Sequence, residues 1–254
     1  MNVFAGVGVA LVTIFAEDGG ADTAATAALA RDLTDRGVRA VLACGTTGEA
    51  ATLTDTERTA IVAAVREAVP AGIPVLAGTG AASAQRAAEL TVAACAAGAD
   101  AILAWPPPGS ADLAGYYSAL RDAAGDRPLL AYHIPWISAP GVPVDVLATL
   151  PIAGVKDSSG SADRLLDELA HYPGATYVGS SALLALAGPM GGAGAILALA
   201  NVEPERCCRA FAGDAAAQRE LAERHLEVRA GGPAALKRIL AAARGTSAVA
   251  RVAS

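Results

Sequence analysis

Eight short apolar runs recur along the chain, at Val7–Thr13, Val38–Cys44, Ile73–Ala77, Ala101–Ala104, Leu129–His133, Ile152–Lys156, Thr176–Gly179 and Ala195–Ala198. Amphipathic or alanine-rich stretches separate them and predict helices near Asp22–Arg36, Asp55–Val69, Ser83–Ala97, Ser110–Ala124, Val144–Leu150, Ala162–His171 and Ala182–Met190, with further helices from about Glu203 onward. Strands this short and apolar, each followed by a helix, belong to a parallel sheet buried on both faces. Eight such units in 254 residues predict a closed (β/α)8 barrel, the TIM-barrel architecture, with residues 203–254 as a C-terminal helical extension. A doubly wound sheet is the alternative. It calls for a glycine-rich turn after the first strand, and Thr13-Ile-Phe-Ala-Glu17 has none.

Local signals agree with this beat. Thr54-Asp-Thr-Glu57 has the spacing of a capping box, Ser161 precedes Asp163 at another helix start, and Gly37, Gly72 and Gly98 stand where helices should give way to strands. No linker or low-complexity segment interrupts the chain, so residues 1–254 read as one domain.

Composition narrows the function classes. Apolar residues make up 54% and aromatics 4%, so the core is built from Ala, Val, Leu and Ile. A net charge of −6 with both signs interspersed argues against a nucleic-acid partner. No stretch reaches the roughly 18 apolar residues of a membrane span. The first fifteen residues carry no Lys or Arg ahead of their apolar stretch and run into Glu17 and Asp18, which fits a buried first strand better than a signal peptide. Cys44, Cys95, Cys207 and Cys208 lack C-x-x-C spacing and read as free thiols in a reducing cytoplasm. With three histidines (His133, His171, His225) and no acidic cluster around them, no metal site is predicted.

Chemistry enters through a bias in the basic residues. The chain uses seventeen arginines and only two lysines, so a lysine calls for a reason that guanidinium cannot meet. Lys156 ends the sixth run, where desolvation in a barrel would favour a neutral, nucleophilic amine. Other strand ends carry complementary groups: Gly45-Thr46-Thr47-Gly48-Glu49 after the second, Gly78-Thr-Gly80 after the third, Tyr132 in the fifth, Gly179-Ser-Ser181 at the seventh and Ile196 in the eighth. In a parallel barrel these ends open on one face, where active sites gather. Backbone N–H groups and hydroxyls of a glycine-flanked Thr-Thr pair suit a small carboxylate, and a strand-end phenol suits proton transfer.

Gly45-Thr-Thr-Gly-Glu49, Tyr132-x-x-Pro135, Gly154-Val-Lys-Asp157 and the run Gly191-Gly-Ala-Gly-Ala-Ile196 to Asn201 resemble, in order and spacing, the dihydrodipicolinate synthase / N-acetylneuraminate lyase family, from the first strand through Lys237. The resemblance implies a class I pyruvate-dependent aldolase, a carbon–carbon lyase without external cofactor. Lys156 would form a Schiff base with pyruvate or another 2-keto acid, Tyr132 would shuttle protons and Thr46 would relay to it. Thr47 and Gly45 would hold the keto-acid carboxylate, and Gly179 and Ile196 would line the pyruvate pocket.

Three positions depart from the family's synthases. Trp105-Pro-Pro-Pro108 replaces a Tyr-Tyr pair, Ile137 replaces an arginine that grips the second substrate, and Ser180 or Ser181 replaces an acidic residue. Both tryptophans, Trp105 and Trp136, fall in these substrate-side loops. The expectation is therefore an apolar or aromatic aldehyde partner, with 4-hydroxy-tetrahydrodipicolinate synthase and a catalytically degenerate keto-acid-binding barrel as the alternatives. The resemblance implies a homo-oligomer; because the chain stops at Ser254, earlier than the family's usual end, the family's usual tetramer does not carry over and dimer or tetramer is left open.

Overall fold

In the computed structural model, which describes residues 2–252, eight parallel strands close into a barrel in chain order. They are β1 (Gly6–Ala10), β2 (Ala40–Ala43), β3 (Val75–Gly78), β4 (Ala101–Ala104), β5 (Leu129–His133), β6 (Gly154–Asp157), β7 (Ala175–Val178) and β8 (Gly194–Leu197), with β8 pairing back onto β1. Around them run α1 (Thr23–Asp35), α2 (Asp55–Ala68), α3 (Ala84–Ala96), α4 (Leu113–Ala124), α5 (Val144–Leu147), α6 (Ala162–His171), α7 (Leu184–Ala187), α8 (Pro204–Phe211), α9 (Ala215–Glu220) and α10 (Ala222–Arg244).

All eight predicted strands form, and the differences lie at their ends. The first leaves the sheet after Ala10 rather than Thr13 because side chains take over its pairing. Asn201 accepts the Val12 N–H at 3.1 Å and donates to the Ala10 carbonyl at 2.8 Å, while Thr26 accepts the Ile14 N–H. Buried Asn201 thus ties the two ends of the barrel seam together. The second strand stops at Ala43 because Cys44 turns into the left-handed region at φ 52°. Helix starts follow their caps: Thr54 and Glu57 form the full capping box of α2, and Ser161 caps α6. The predicted helix from Ser110 begins instead at Leu113, where Asp112 caps it. Gly37 and Gly98 end α1 and α3 with positive φ, whereas α2 ends ahead of Pro70, which has no N–H to continue it, and Gly72 lies beyond. The span Ala182–Met190 yields a 3-10 turn and the four-residue α7, and Gly191, at φ 88°, turns the chain back toward β8.

Two apolar layers hold this together. Most buried aliphatic side chains fill the shell between strands and helices, and a smaller cluster that includes Leu42, Leu76, Leu103, Leu130 and Ile196 fills the barrel. Each fully buried leucine contributes about 2 kcal/mol. The barrel floor is closed by the N-terminal segment: Tyr177 donates to the Phe4 carbonyl at 3.0 Å, accepts the Val3 and Phe4 N–H groups, and stacks on the Phe4 ring. The opposite mouth, at the strand C-termini, is left for chemistry. α10 crosses it and kinks at Gly232 (φ 54°) ahead of Pro233. Among the described residues, no helix is long and apolar enough to cross a membrane, and no group of three or more metal-ligating side chains comes together.

Candidate active site

Strand periodicity decides which side chains reach the mouth. In the β5–β6 register Tyr132 lies opposite Lys156 and His133 opposite Asp157, so one pair faces the barrel and the next faces the helices. Lys156 is buried, at 4% exposure, with its Nζ 4.2 Å from the centroid of the Tyr132 ring. No carboxylate among the described residues lies within ion-pair distance of it. Asp157 points away, 3.6 Å from Arg164 Nε, and accepts hydrogen bonds from the Ser159 backbone and hydroxyl at 2.8 Å.

Lys156 and Tyr132 line a cavity of about 590 Å³ at the mouth, together with Thr46, Thr47, Gly179, Ile196 and Trp136. The turn carrying the threonines is strained at both ends: Cys44 and Glu49 are the non-glycine residues with positive φ among those described, and they bracket it. Within it the Gly45 and Thr46 carbonyls accept N–H groups from Gly48 and Glu49, while those of Thr46 and Thr47 meet no acceptor among the described residues. Two free amides beside two hydroxyls make a small anion seat.

Three placements differ from expectation. Thr46 is exposed and makes no hydrogen bond to Tyr132; Ser158, which follows Lys156 by two residues, donates to the phenol oxygen at 3.2 Å. Gly45 borders a second cavity of about 400 Å³ rather than the Lys156 cavity, and so do Trp105 and Ile137, with Tyr132 and Thr46 shared between the two. Trp136 borders the Lys156 cavity but at its rim, 64% exposed. The three residues behind the apolar-aldehyde expectation are thus split between two cavities.

Sequence reasoning missed several contributors. Ser158 depends on Gly179, where any Cβ would fall on its hydroxyl. The other lysine, Lys237, is fully buried and pairs with Glu49 at 2.5 Å, behind the threonine turn. The opposite carboxylate oxygen of Glu49 accepts the Arg251 and Val252 N–H groups, so the segment after α10 is strapped to this turn. The scarcity of lysine was the available signal, and it applied to both. His225 and Arg229, on α10, complete the cavity wall opposite the barrel. His133 serves structure, accepting the Val142 N–H, with its pKa pushed down to about 4 by burial and by Arg164. The Cys44 thiol is pushed up to about 12 by burial and is inert at the site.

A closed barrel whose mouth holds a buried lysine beside a phenol, next to a free-amide anion seat, has the parts that class I aldolase chemistry uses, in which a ketone is activated as an iminium on lysine. Comparison with known proteins places the chain further. The Dihydrodipicolinate synthetase family profile matches residues 3–232. The 4-hydroxy-tetrahydrodipicolinate synthase of Nitrosomonas europaea is 36% identical over 233 residues, 86% of this chain and 80% of that one. The corresponding synthase of Salinibacter ruber is 34% identical over 221 residues, 83% and 73% of the two chains. Among solved structures, YagE of E. coli K12, a prophage protein of the dihydrodipicolinic acid synthase family in complex with pyruvate, superposes with a TM-score of 0.90 at 28% identity, covering 99% of this chain and 93% of that one. The pyruvate complex of the chloride-inhibited synthase from Acinetobacter baumannii gives 0.89 at 27% identity, with coverage of 99% and 93%. The chain belongs to the dihydrodipicolinate synthetase family. It is a carbon–carbon lyase of the class that works through a pyruvate Schiff base on lysine, without an external cofactor.

Proposed function

We propose that Lys156 is the Schiff-base lysine and that the enzyme makes or breaks a bond between pyruvate and an aldehyde. The observation that carries this is the burial of Lys156 against Tyr132, on one cavity wall with the Thr46–Thr47 turn. The free amides of that turn, with the Thr47 hydroxyl, hold the keto-acid carboxylate. The neutral Lys156 amine adds to the ketone carbon, and loss of water leaves an iminium whose nitrogen draws electrons from the neighbouring carbon. A proton lost from that carbon gives the enamine. The enamine carbon attacks the aldehyde carbon, the new alkoxide takes a proton, and water releases the product and restores the amine. Cleavage runs the same steps backwards. Tyr132, held by Ser158, carries the protons, with Thr46 at the lip as a further hydroxyl. Gly179 and Ile196 shape the pyruvate end.

The aldehyde is read as apolar or aromatic in its body. Trp136 at the rim and Ile134 in the wall support this, on narrower footing than the sequence offered because Trp105 and Ile137 border the second cavity. The second reading, 4-hydroxy-tetrahydrodipicolinate synthase, rests on the names of the relatives above. Residues 1–254 act as one barrel domain, the free and largely buried cysteines fit a cytoplasmic protein, and the exposed apolar side chains Val92, Leu166 and Met190 fit a homo-oligomer.

Borohydride reduction in the presence of pyruvate tests the mechanism. Mass spectrometry should find the adduct on the peptide containing Lys156; an adduct elsewhere, or none, overturns the assignment. A panel of aromatic and aliphatic 2-keto acids scored for pyruvate release then tests the aldehyde. Preference for pyruvate with aspartate semialdehyde would select the second reading.

A further inference from the structure

The Lys156 cavity is walled on its outer side by α10, and the residues that do so follow a helical beat. His225, Val228, Arg229 and Gly232 recur at three- and four-residue steps, one face of the helix up to its kink, and Pro233 and Leu236 continue the wall beyond it. Arg229 is the arginine of that wall, and no Asp or Glu lines the cavity among the described residues. Its helical neighbours at three and four residues are His225, Leu226, Gly232 and Pro233, none of them acidic, so the helix supplies no partner. Arg224, one turn earlier, is paired with Glu227 at 2.6 Å. The Arg229 guanidinium enters no ion pair among the described residues.

Beside it the wall is hydroxylic. Ser159, Ser180 and Ser181 line the same cavity, and the Ser181 hydroxyl lies 2.8 Å from His225 Nδ1. Burial and the Arg229 cation both lower the His225 pKa, so the neutral imidazole leaves Arg229 as the fixed charge of this wall. A cleft wall with a fixed cation and no carboxylate selects anions, and guanidinium matches the planar, two-oxygen geometry of a carboxylate.

The geometry points to Arg229 as a specificity-determining residue: it receives an anionic group, a carboxylate in the first instance, at the end of the aldehyde fragment distant from Lys156. This deepens the proposed aldolase reading and rests on it for the chemistry, though not for the binding. The cavity then seats a ligand with two negative ends, one at the Thr46–Thr47 turn and one at α10, with the apolar body between them.

The test is equilibrium binding of unreactive acids by calorimetry: malonate, succinate, glutarate and adipate against monocarboxylates of equal length. One dicarboxylate length should bind at least about tenfold more tightly than its monocarboxylate, and Arg229→Gln should remove that advantage while Arg229→Lys keeps part of it. Borohydride trapping of pyruvate on Lys156 should proceed equally in wild type and Arg229→Gln, which also shows the variant folded. Equal binding of mono- and dicarboxylates, or an advantage untouched in Arg229→Gln, overturns the inference. A dicarboxylate preference without any Lys156 adduct would instead sink the aldolase assignment and leave the anion seat standing. With turnover established, Arg229→Gln should raise KM for an aldehyde bearing a terminal carboxylate or phosphate about ten- to hundredfold and leave KM for its neutral analogue unchanged. Phosphate substrates affected more than carboxylates would identify a phosphate ester as the natural end.

Discussion

Replacing Lys237 with Met gives the sharpest test of how the threonine turn is held. Glu49 and Lys237 are both fully buried and 2.5 Å apart, and the Lys237 ammonium also lies 3.9 Å from the Phe15 ring centroid and donates to the Val249 carbonyl at 2.9 Å. Burial works to lower the Lys237 pKa and the Glu49 carboxylate to raise it, with burial the larger influence. Removing the lysine strands a carboxylate in the interior, which costs about 3–5 kcal/mol. At roughly 2–4 °C per kcal/mol for a chain of this size, Tm should fall by about 6–20 °C. Glu49→Gln should cost a similar amount by stranding the ammonium. The pair replaced together should lose much less than the sum, because a neutral amide can still accept the Arg251 and Val252 N–H groups while Met fills the lysine's volume. Urea unfolding of wild type, the two single variants and the double variant measures the coupling directly, and we expect about 2–3 kcal/mol. Additive losses, with coupling below about 0.5 kcal/mol, would refute the account of this pair as one buried unit. Glu49 ends the turn that presents Thr46 and Thr47, so the destabilised single variants should also bind pyruvate more weakly.

Further expectations follow from the same geometry. Lys156→Arg should abolish the borohydride adduct, since a guanidinium cannot give up its proton and attack the ketone. Tyr132→Phe should lower kcat by about a hundredfold or more while still permitting slow adduct formation, as general acid–base catalysis is worth about 10²–10⁴. Gly179→Ala should displace the Ser158 hydroxyl from the phenol and lower kcat/KM about tenfold, and Ser158→Ala should match it; a normal Ser158→Ala enzyme would remove Ser158 from the mechanism. Glu168 is fully buried and burial pushes its pKa up to about 8. A carboxyl raised in the folded state contributes stability that is complete below about pH 4.5 and lost as pH rises through about 8. Glu168→Gln should therefore flatten the fall in urea midpoint between pH 5 and 9, and an unchanged slope would assign that fall to other groups.

The architecture was legible because periodicity reports burial on both faces of a strand, and eight such runs leave few ways to fold. Lys156 and Tyr132 were legible because strand ends of a barrel share one face. Ser158 was not, because its role depends on the absence of a side chain at Gly179, across a strand boundary. The partnership of Glu49 with Lys237 joins segments 188 residues apart, and nothing local in either segment marks it. Trp105, Trp136 and Ile137 look equivalent in sequence, each just past a strand end. Trp105, however, packs over Gly80, where a Cβ would meet its ring, and so turns toward the second cavity while Trp136 turns to the rim of the first.

The same alternation that aims Lys156 inward explains why its sequence neighbour does not disarm it. Lysine attacks a ketone only as the neutral amine, and a carboxylate at hydrogen-bond range would hold the proton in place. Asp157 is one residue away, yet period two sends it to the outer face, where Arg164 and the Ser159 groups engage it and His133 stands opposite. Arg164 also lies 2.9 Å from Glu168 and donates to the Val142 carbonyl, so one guanidinium gathers the acids behind β6. Arg164→Met would leave the buried Asp157 carboxylate without its cation and should destabilise the fold by about 3–5 kcal/mol. Asp157→Asn keeps the hydrogen bonds to Ser159 and removes only charge. It should leave the rate of borohydride trapping at Lys156 unchanged. A rate that moves about tenfold would mean the Asp157 carboxylate is felt at the amine through the sheet, and the two faces would not be separate.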